Sequence, residues 1–272
     1  MKILAVHNRY RNRGGPDFLY DSTNRVLREK GHEVREVTED SRNIETTRDK
    51  IRAGWRGIHS DSACERVSEA IEVHDPDVAH VHNVYPLLSP SVVEACAEHG
   101  VPVIKRVANF RPICPTAHLY REGEVCELCT GGHEHWCFLT NCRGNLVESA
   151  TYAARAYTTR LRRIYEKHGT LFVTPSNFVR QRLGEDRLPR ERIKVIPNAI
   201  RFPVAERPSP SGRYIGYVGR ISEEKGIDTL LKAARQLNTP VRVAGTGATA
   251  DMRRNCPPNV KFKGRLSGER LR

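Results

Sequence analysis

The chain is 272 residues long, 38% hydrophobic and 28% charged, a balance that excludes intrinsic disorder and is ample for one large core or two ordinary ones. No apolar run approaches the roughly 20 residues that span a bilayer, and the opening MKILAVHN is too short in its apolar stretch for a secretory signal. A net charge of +13 favours acidic partners. The arginines are scattered, however, with no dense basic block, which argues against a dedicated nucleic-acid binder.

The predicted elements follow in chain order. KILAVHN (2–8) is an apolar run of strand length, and the Gly-rich turn RNRGGPD comes after it. Helical spacing runs over 18–30, with Gly31 as the stop signal, and HEVREV then alternates as a strand. Residues 40–60 read as a polar loop with room for a helix. A helix over 61–74 leads to the buried-strand run DVAHVHN (77–83), then a helix over 90–99 and the strand VPVIKRVA (101–108). Strands alternating with helices imply crossover connections and a parallel sheet covered on both faces.

Residues 110–145 break the rhythm, with cysteines, glycines and little periodicity. One helix is predicted over 146–168, carrying Arg155, Arg160, Arg162, Arg163 and Lys167 beside its apolar positions. Those cations suit either a solvated face on a core helix or peripheral contact with an anionic membrane. TLFVTPS (170–176) is a strand and NFVRQRLG a short helix. The Pro-rich RFPVAERPSPSG (201–212) reads as a linker between a first domain over 1–200 and a second over 213–272. YIGYVG, VRVAG and VKFKG are strands in the second domain, and GIDTLLKAARQL is a helix. A doubly wound domain takes about 100 residues, so the second is expected to be incomplete.

The strongest chemical signal is YVGRISEEKGIDTLLKAA (217–234). A strand ends at Gly219 and a helix opens after Gly226, which puts Arg220 and Lys225 in the loop at the carboxyl end of a parallel strand. Two cations beside a helix N-terminus suit a diphosphate, although a solvated turn is the plainer reading. Gly14 and Gly15 follow the first strand, where backbone N–H groups can approach a ligand or simply make a tight turn. His82 and Asn83 end the strand in HVHN; a histidine there is either a ligand contact or an ordinary hydrogen-bonder. Gly245 and Gly247 in VAGTGA are either near the ligand or packing glycines.

This order of motifs resembles glycosyltransferase family 4. The stretch 217–234 looks like its donor-binding segment, and RGGPDFLYDSTNRVLREKGHEV, DPDVAHVHNVYPLLSPSVVEACAEHGVPVI, PSNFVRQRL and RIKVIPNAI are similar to its other segments, so the likeness covers nearly the whole chain. The resemblance implies an α/β fold of GT-B type, two Rossmann-like doubly wound domains, here with the second incomplete. It implies a retaining transfer of sugar from a nucleotide-sugar donor to a carbohydrate or lipid-linked acceptor in cell-surface polysaccharide or glycoconjugate synthesis, with no cofactor needed for catalysis. Arg220 and Lys225 would stabilise the leaving diphosphate. Gly14, Gly15, Gly219 and Gly245 would lie on the donor side, and His82, Asn83 and Asn109 on the acceptor side. Ala108 stands where related members carry a histidine, PNAI followed by Arg201 replaces the usual Gly-Val-Asp, and the paired glutamates that grip the donor sugar would fall beyond residue 272. A remnant or subunit that binds a nucleotide-sugar without turnover is the alternative.

VCELCTGGHEHWCFLTNC (125–142) is the remaining feature. The expected location is the cytoplasm, with contact at most on the inner face of its membrane, and eight cysteines there stay reduced. Cys114, Cys126, Cys129 and Cys142 have spacings that suit tetrahedral zinc, with Cys137, His118, His133 and His135 as substitutes. A reduced thiol cluster packed in a loop is the other reading. These cysteines match a subset of the family, so a metal there would shape an insertion and do no sugar chemistry. A zinc-dependent nucleic-acid binder would use the same residues, but no nucleic-acid partner is expected.

Overall fold

A computed structural model describes residues 1–186, 188–198 and 212–266. The chain forms two compact units, Met1–Arg121 with Val125–Arg201, and Phe202–Arg272 with Glu122–Glu124. The linker expected at 201–212, all but Gly212, and residues 199–201 lie outside the described residues.

The first unit is built on a six-stranded parallel sheet. Strand β1 (Lys2–Arg9) pairs on one side with β2 (Glu33–Asp40) and on the other with β3 (Val78–Val81). The order continues through β4 (Val103–Arg106), and beyond it come β7 (Leu171–Thr174) and β8 (Ile193–Val195), each parallel to its neighbour. Two short strands between β4 and β7, β5 (Tyr120–Arg121) and β6 (Glu124–Val125), pair with each other. Six consecutive residues of β1, Ile3 to Asn8, are buried, as a central strand covered on both faces requires. Val6 sits in register between Val37 and Val81. At the edge, β2 instead carries EVREVTED, whose charges discourage pairing with another chain.

Helices α1 (Gly15–Glu29), α3 (Asp61–His74) and α4 (Ser91–Glu98) follow β1, β2 and β3, and α8 (Asn177–Asp186) follows β7. The core joins Leu4, Val6 and Val81 of the sheet to Val67 of α3 and Val92 of α4, and a second cluster centres on Phe172, Leu183 and Ile193. The polar stretch 40–60 holds α2 (Thr47–Arg56), closed at its start by reciprocal Thr46 and Asp49 hydrogen bonds. In the cysteine segment lies α5 (His135–Leu139).

The single helix expected over 146–168 is two helices. α6 (Leu146–Leu161) stops, Arg163 takes a left-handed backbone (φ 50°), and α7 (Ile164–Lys167) follows. Apolar periodicity continues across the break because Ile164 and Tyr165 still pack inward, so periodicity could not reveal it.

In the second unit β9 (Ile215–Val218), β10 (Val241–Ala244) and β11 (Val260–Gly264) form a parallel sheet of order β11-β10-β9. Helix α9 (Ile227–Ala234) packs Ile227 and Ala234 on Val241, Val243 and Val260. A further helix, α10 (Ala250–Arg254), capped by the Thr249 hydroxyl, escaped the sequence reading because its five residues are too few to show a period. No helix among the described residues is long and apolar enough to cross a membrane.

Candidate active site

In an open parallel sheet the ligand crevice lies at the carboxyl ends of the strands, where the strand order reverses direction. In the first unit that point lies between β1 and β3, since β2 lies on one side of β1 and the later strands on the other. A cleft of about 1190 Å³, open solvent at its mouth included, is found there, lined by residues that end β1, β3 and β4.

Asp17, the third residue of α1, organises one wall. Its buried carboxylate accepts from the backbone N–H of Tyr10 (3.1 Å) and of Gly14 (3.0 Å), fixing the loop between β1 and α1. It also holds Nε2 of His7 at 3.0 Å, while the Tyr20 ring stacks on His7 at 4.4 Å. Burial lowers the pKa of His7 in spite of Asp17, so its ring is neutral at pH 7. Gly14 has an extended backbone, and a Cβ added to Gly15 would meet nothing within 4 Å. Folding alone therefore does not demand the Gly-Gly pair.

The three acceptor-side residues expected from sequence all line the cleft. His82 is 4% exposed, its Nε2 has no hydrogen-bond partner, and burial with neighbouring His80 and His7 keeps it neutral. Asn83 is spent on the backbone: Nδ2 donates to the carbonyls of Asn8 and Tyr85 (both 2.8 Å), tying β1 to β3. Asn109 accepts from the N–H of Arg111 at 3.1 Å and shapes the turn after β4.

What the sequence reading missed is the charge of this cleft. Lys105 and Arg106 end β4, Arg111 follows in the next turn, and Arg155 reaches in from α6. Lys105 donates to the His82 carbonyl, and burial pushes its pKa down to about 7, with Arg111 adding to the effect. Arg155 is 4% exposed, donates to the Pro115 carbonyl at 3.2 Å and lies over the rings of Tyr85 (4.0 Å) and Tyr152 (4.2 Å). Burial lowers its pKa to about 10. The signal was present in VPVIKRVA: a Lys-Arg pair inside a buried-strand run is costly unless it serves a site. The other α6–α7 arginines are paired with carboxylates, Arg160 with Glu134 (2.6 Å), Arg162 with Glu94 (2.9 Å) and Arg163 with Glu166 (2.8 Å).

In the second unit Gly219 follows β9, and the loop to α9 carries Arg220 and Lys225. Both cations are exposed; Arg220 holds Glu224 at 3.0 Å. Lys225 closes a single 3₁₀ turn, and Gly226, with φ +70°, redirects the chain into α9. A Cβ at Gly245 would overlap the Gly219 carbonyl oxygen, and one at Gly247 that of Ile221. Packing alone therefore requires these two glycines.

The cysteine segment folds so that Cys114, Cys126, Cys129, Cys137 and Cys142 surround one small pocket, although they come from 29 positions of chain. All are free thiols, and Cys129, Cys137 and Ala153 of α6 pack together. Burial first, and then the neighbouring thiols, push Cys129 and Cys137 up to about 12. Among the described residues no group of three or more His, Cys, Asp or Glu side chains is placed to hold a metal ion. The expected zinc on Cys114, Cys126, Cys129 and Cys142 therefore finds no support among the described residues.

The sequence model of the glycosyl transferase 4-like domain matches residues 23–199. No curated protein matches the chain. Among solved structures the chain is similar to Anabaena Alr3699/HepE in complex with UDP and glucose (14% identity, TM-score 0.54). It is equally similar to the same protein with UDP (14%, 0.53) and with UDP-glucose (13%, 0.53). Each match covers 98% of this chain and 70% of that one.

Proposed function

Because the chain belongs to the glycosyl transferase 4-like family and has a GT-B-type α/β fold, we propose that it transfers a sugar from a nucleotide-sugar to an acceptor hydroxyl. The observation that carries this reading is the cleft at the β1–β3 switch point of the family's own domain, walled by the Asp17-clamped loop and His82. Arg220 and Lys225 stand at the carboxyl end of a second parallel sheet beside the start of α9, a placement that suits the diphosphate of a donor. That UDP and UDP-glucose are bound in HepE supports a uridine nucleotide as the first donor to try.

In the reaction proposed, the bond from the anomeric carbon to the diphosphate oxygen breaks and a bond to the acceptor oxygen forms on the same face. The acceptor proton passes to the leaving diphosphate, and Arg220 and Lys225 stabilise the charge left there. Gly14, Gly15 and Gly219 would let backbone approach the donor, while His82, Asn83 and Asn109 would shape the acceptor side. The acceptor is a carbohydrate or a lipid-linked saccharide, in the synthesis of a cell-surface polymer or glycoconjugate. Exposed Leu146, Val147, Tyr157 and Leu161 on α6 support peripheral contact with the membrane that would carry such a lipid.

Release of UDP from a panel of UDP-sugars, with and without acceptor extracts, tests the reading. Acceptor-stimulated release with retention of configuration is expected. UDP binding without release from any donor would instead select the alternative, a nucleotide-sugar-binding chain without turnover.

A further inference from the structure

The cleft of the first unit is lined by six cations, Lys105, Arg106, Arg111, Arg155, Arg160 and Arg163, and three carboxylates, Glu134, Glu166 and Asp186. All three carboxylates are already engaged: Glu134 with Arg160, Glu166 with Arg163, and Asp186 with the N–H of Gly131 at 2.9 Å. Lys105, Arg106, Arg111 and Arg155 have no carboxylate partner among the described residues, and three of them are less than 9% exposed. Burying a charge without a counter-charge opposes folding strongly, so three such groups on one wall, with the half-buried Arg111 beside them, point to a ligand that supplies the negative charge.

Their donors are also only partly used. The Lys105 ammonium has three N–H groups, and one goes to the His82 carbonyl. Arg111 leaves Nε buried without a partner, and so does Arg106, whose terminal nitrogens hold the Ile196 carbonyl and the Asn198 side chain. Arg111 and Arg155 both lie over the Tyr85 ring, at 5.0 and 4.0 Å, so two guanidinium groups share one rigid aromatic support. His82 adds a neutral ring with an unpartnered Nε2 in the same lining.

We propose that this cleft selects an acidic acceptor, one whose phosphate or carboxylate is held by Lys105, Arg111 and Arg155 while its hydroxyl is presented for transfer. The inference rests on the glycosyltransferase reading above, in which this side of the fold receives the acceptor. A forked guanidinium matches both oxyanions through two parallel hydrogen bonds, and Arg111 lies over the Tyr85 ring with an unpartnered Nε. The lowered pKa of Lys105 agrees: an anion beside it would return the ammonium to its ordinary range.

Calorimetric titration of the 272-residue chain at pH 7 and low salt tests this with inorganic phosphate, methyl glucuronide, methyl glucoside and UDP, with GDP and ADP beside it. Phosphate or the glucuronide should bind at least about 10-fold more tightly than the neutral glucoside, and the better of the two identifies the acidic group. Arg111→Gln should weaken that anion at least about 10-fold, while Arg220→Ala with Lys225→Ala leaves it unchanged and instead weakens UDP. Should Arg111→Gln not fold, lysine NMR supplies the check, with the Lys105 pKa rising on addition of the anion. Equal binding of glucoside and glucuronide with no binding of phosphate, or an anion affinity untouched by Arg111→Gln, overturns the inference. UDP binding in that case leaves the glycosyltransferase reading standing; anion binding without binding of UDP, GDP or ADP overturns that reading and leaves the anion site.

Discussion

Gly245 and Gly15 show how differently two glycines in one chain can be constrained. A side chain at Gly245 would collide with the Gly219 carbonyl, a backbone atom that cannot step aside. Gly245→Ala should therefore cost about 1–3 kcal/mol in urea unfolding. Gly15→Ala, in open space at the start of α1, should stay within about 0.5 kcal/mol of the parent. If backbone at this loop approaches the donor, the same Gly15→Ala variant should lose sugar transfer with its stability intact. Lys105 gives a second prediction at this scale. Its folded pKa of about 7 lies below the ordinary value of 10.5. Below pH 7 both folded and unfolded chains carry the charge and the burial cost is felt in full; between pH 7 and 10.5 the unfolded chain binds more protons. Stability should thus rise with pH across that window, by on the order of 2 kcal/mol from pH 7 to 9, and Lys105→Met should flatten the rise in urea midpoints measured at each pH.

Elements bring together what single residues cannot. The five thiols of the 114–142 segment converge only because the chain turns back under α6, where Cys129 and Cys137 pack against Ala153. Held near pKa 12, both are almost wholly protonated at pH 8. Alkylation of these two by iodoacetamide should be slowed at least about 100-fold relative to the chain in urea, read by peptide mass spectrometry. Rapid labelling of Cys137 in the native protein would show that the cluster is open. The break between α6 and α7 belongs to the same scale. Arg155, within α6, is buried beside Tyr85, while Arg160, Arg162 and Arg163, at and before the break, are held in ion pairs, so one run of basic residues serves two purposes.

At the scale of the whole molecule, each unit has its own parallel sheet and core, and the cations thought to hold the donor lie in the second. Arg220 and Lys225 are exposed, so replacing both with alanine should leave the melting temperature unchanged. It should weaken UDP binding about 10- to 100-fold, the usual worth of charged hydrogen bonds to a phosphate. A matching loss of UDP release would assign them to the leaving group. Most of the architecture was legible from sequence, because strand and helix periods depend on neighbours two to four positions away; β2 and α3 carry those periods plainly, and β1 shows as one unbroken apolar run. That His82, Asn83 and Asn109 would share one cleft was legible as well, since the loops after neighbouring parallel strands lie at one end of the sheet. The helix break at Arg163, the five-residue α10 and the engagement of Asn83 with backbone were not, because none of them alters a local pattern. By itself the sequence determined the alternating α/β order, the family resemblance and the strand ends at which chemistry could occur. Only the tertiary structure decided that Lys105, Arg111 and Arg155, from a strand end, the turn after it and a helix 44 residues beyond, share one wall. The physical reason is that charge density in a cleft is set by which crossovers bring distant segments within a few ångströms, and composition spread along a chain carries no trace of that.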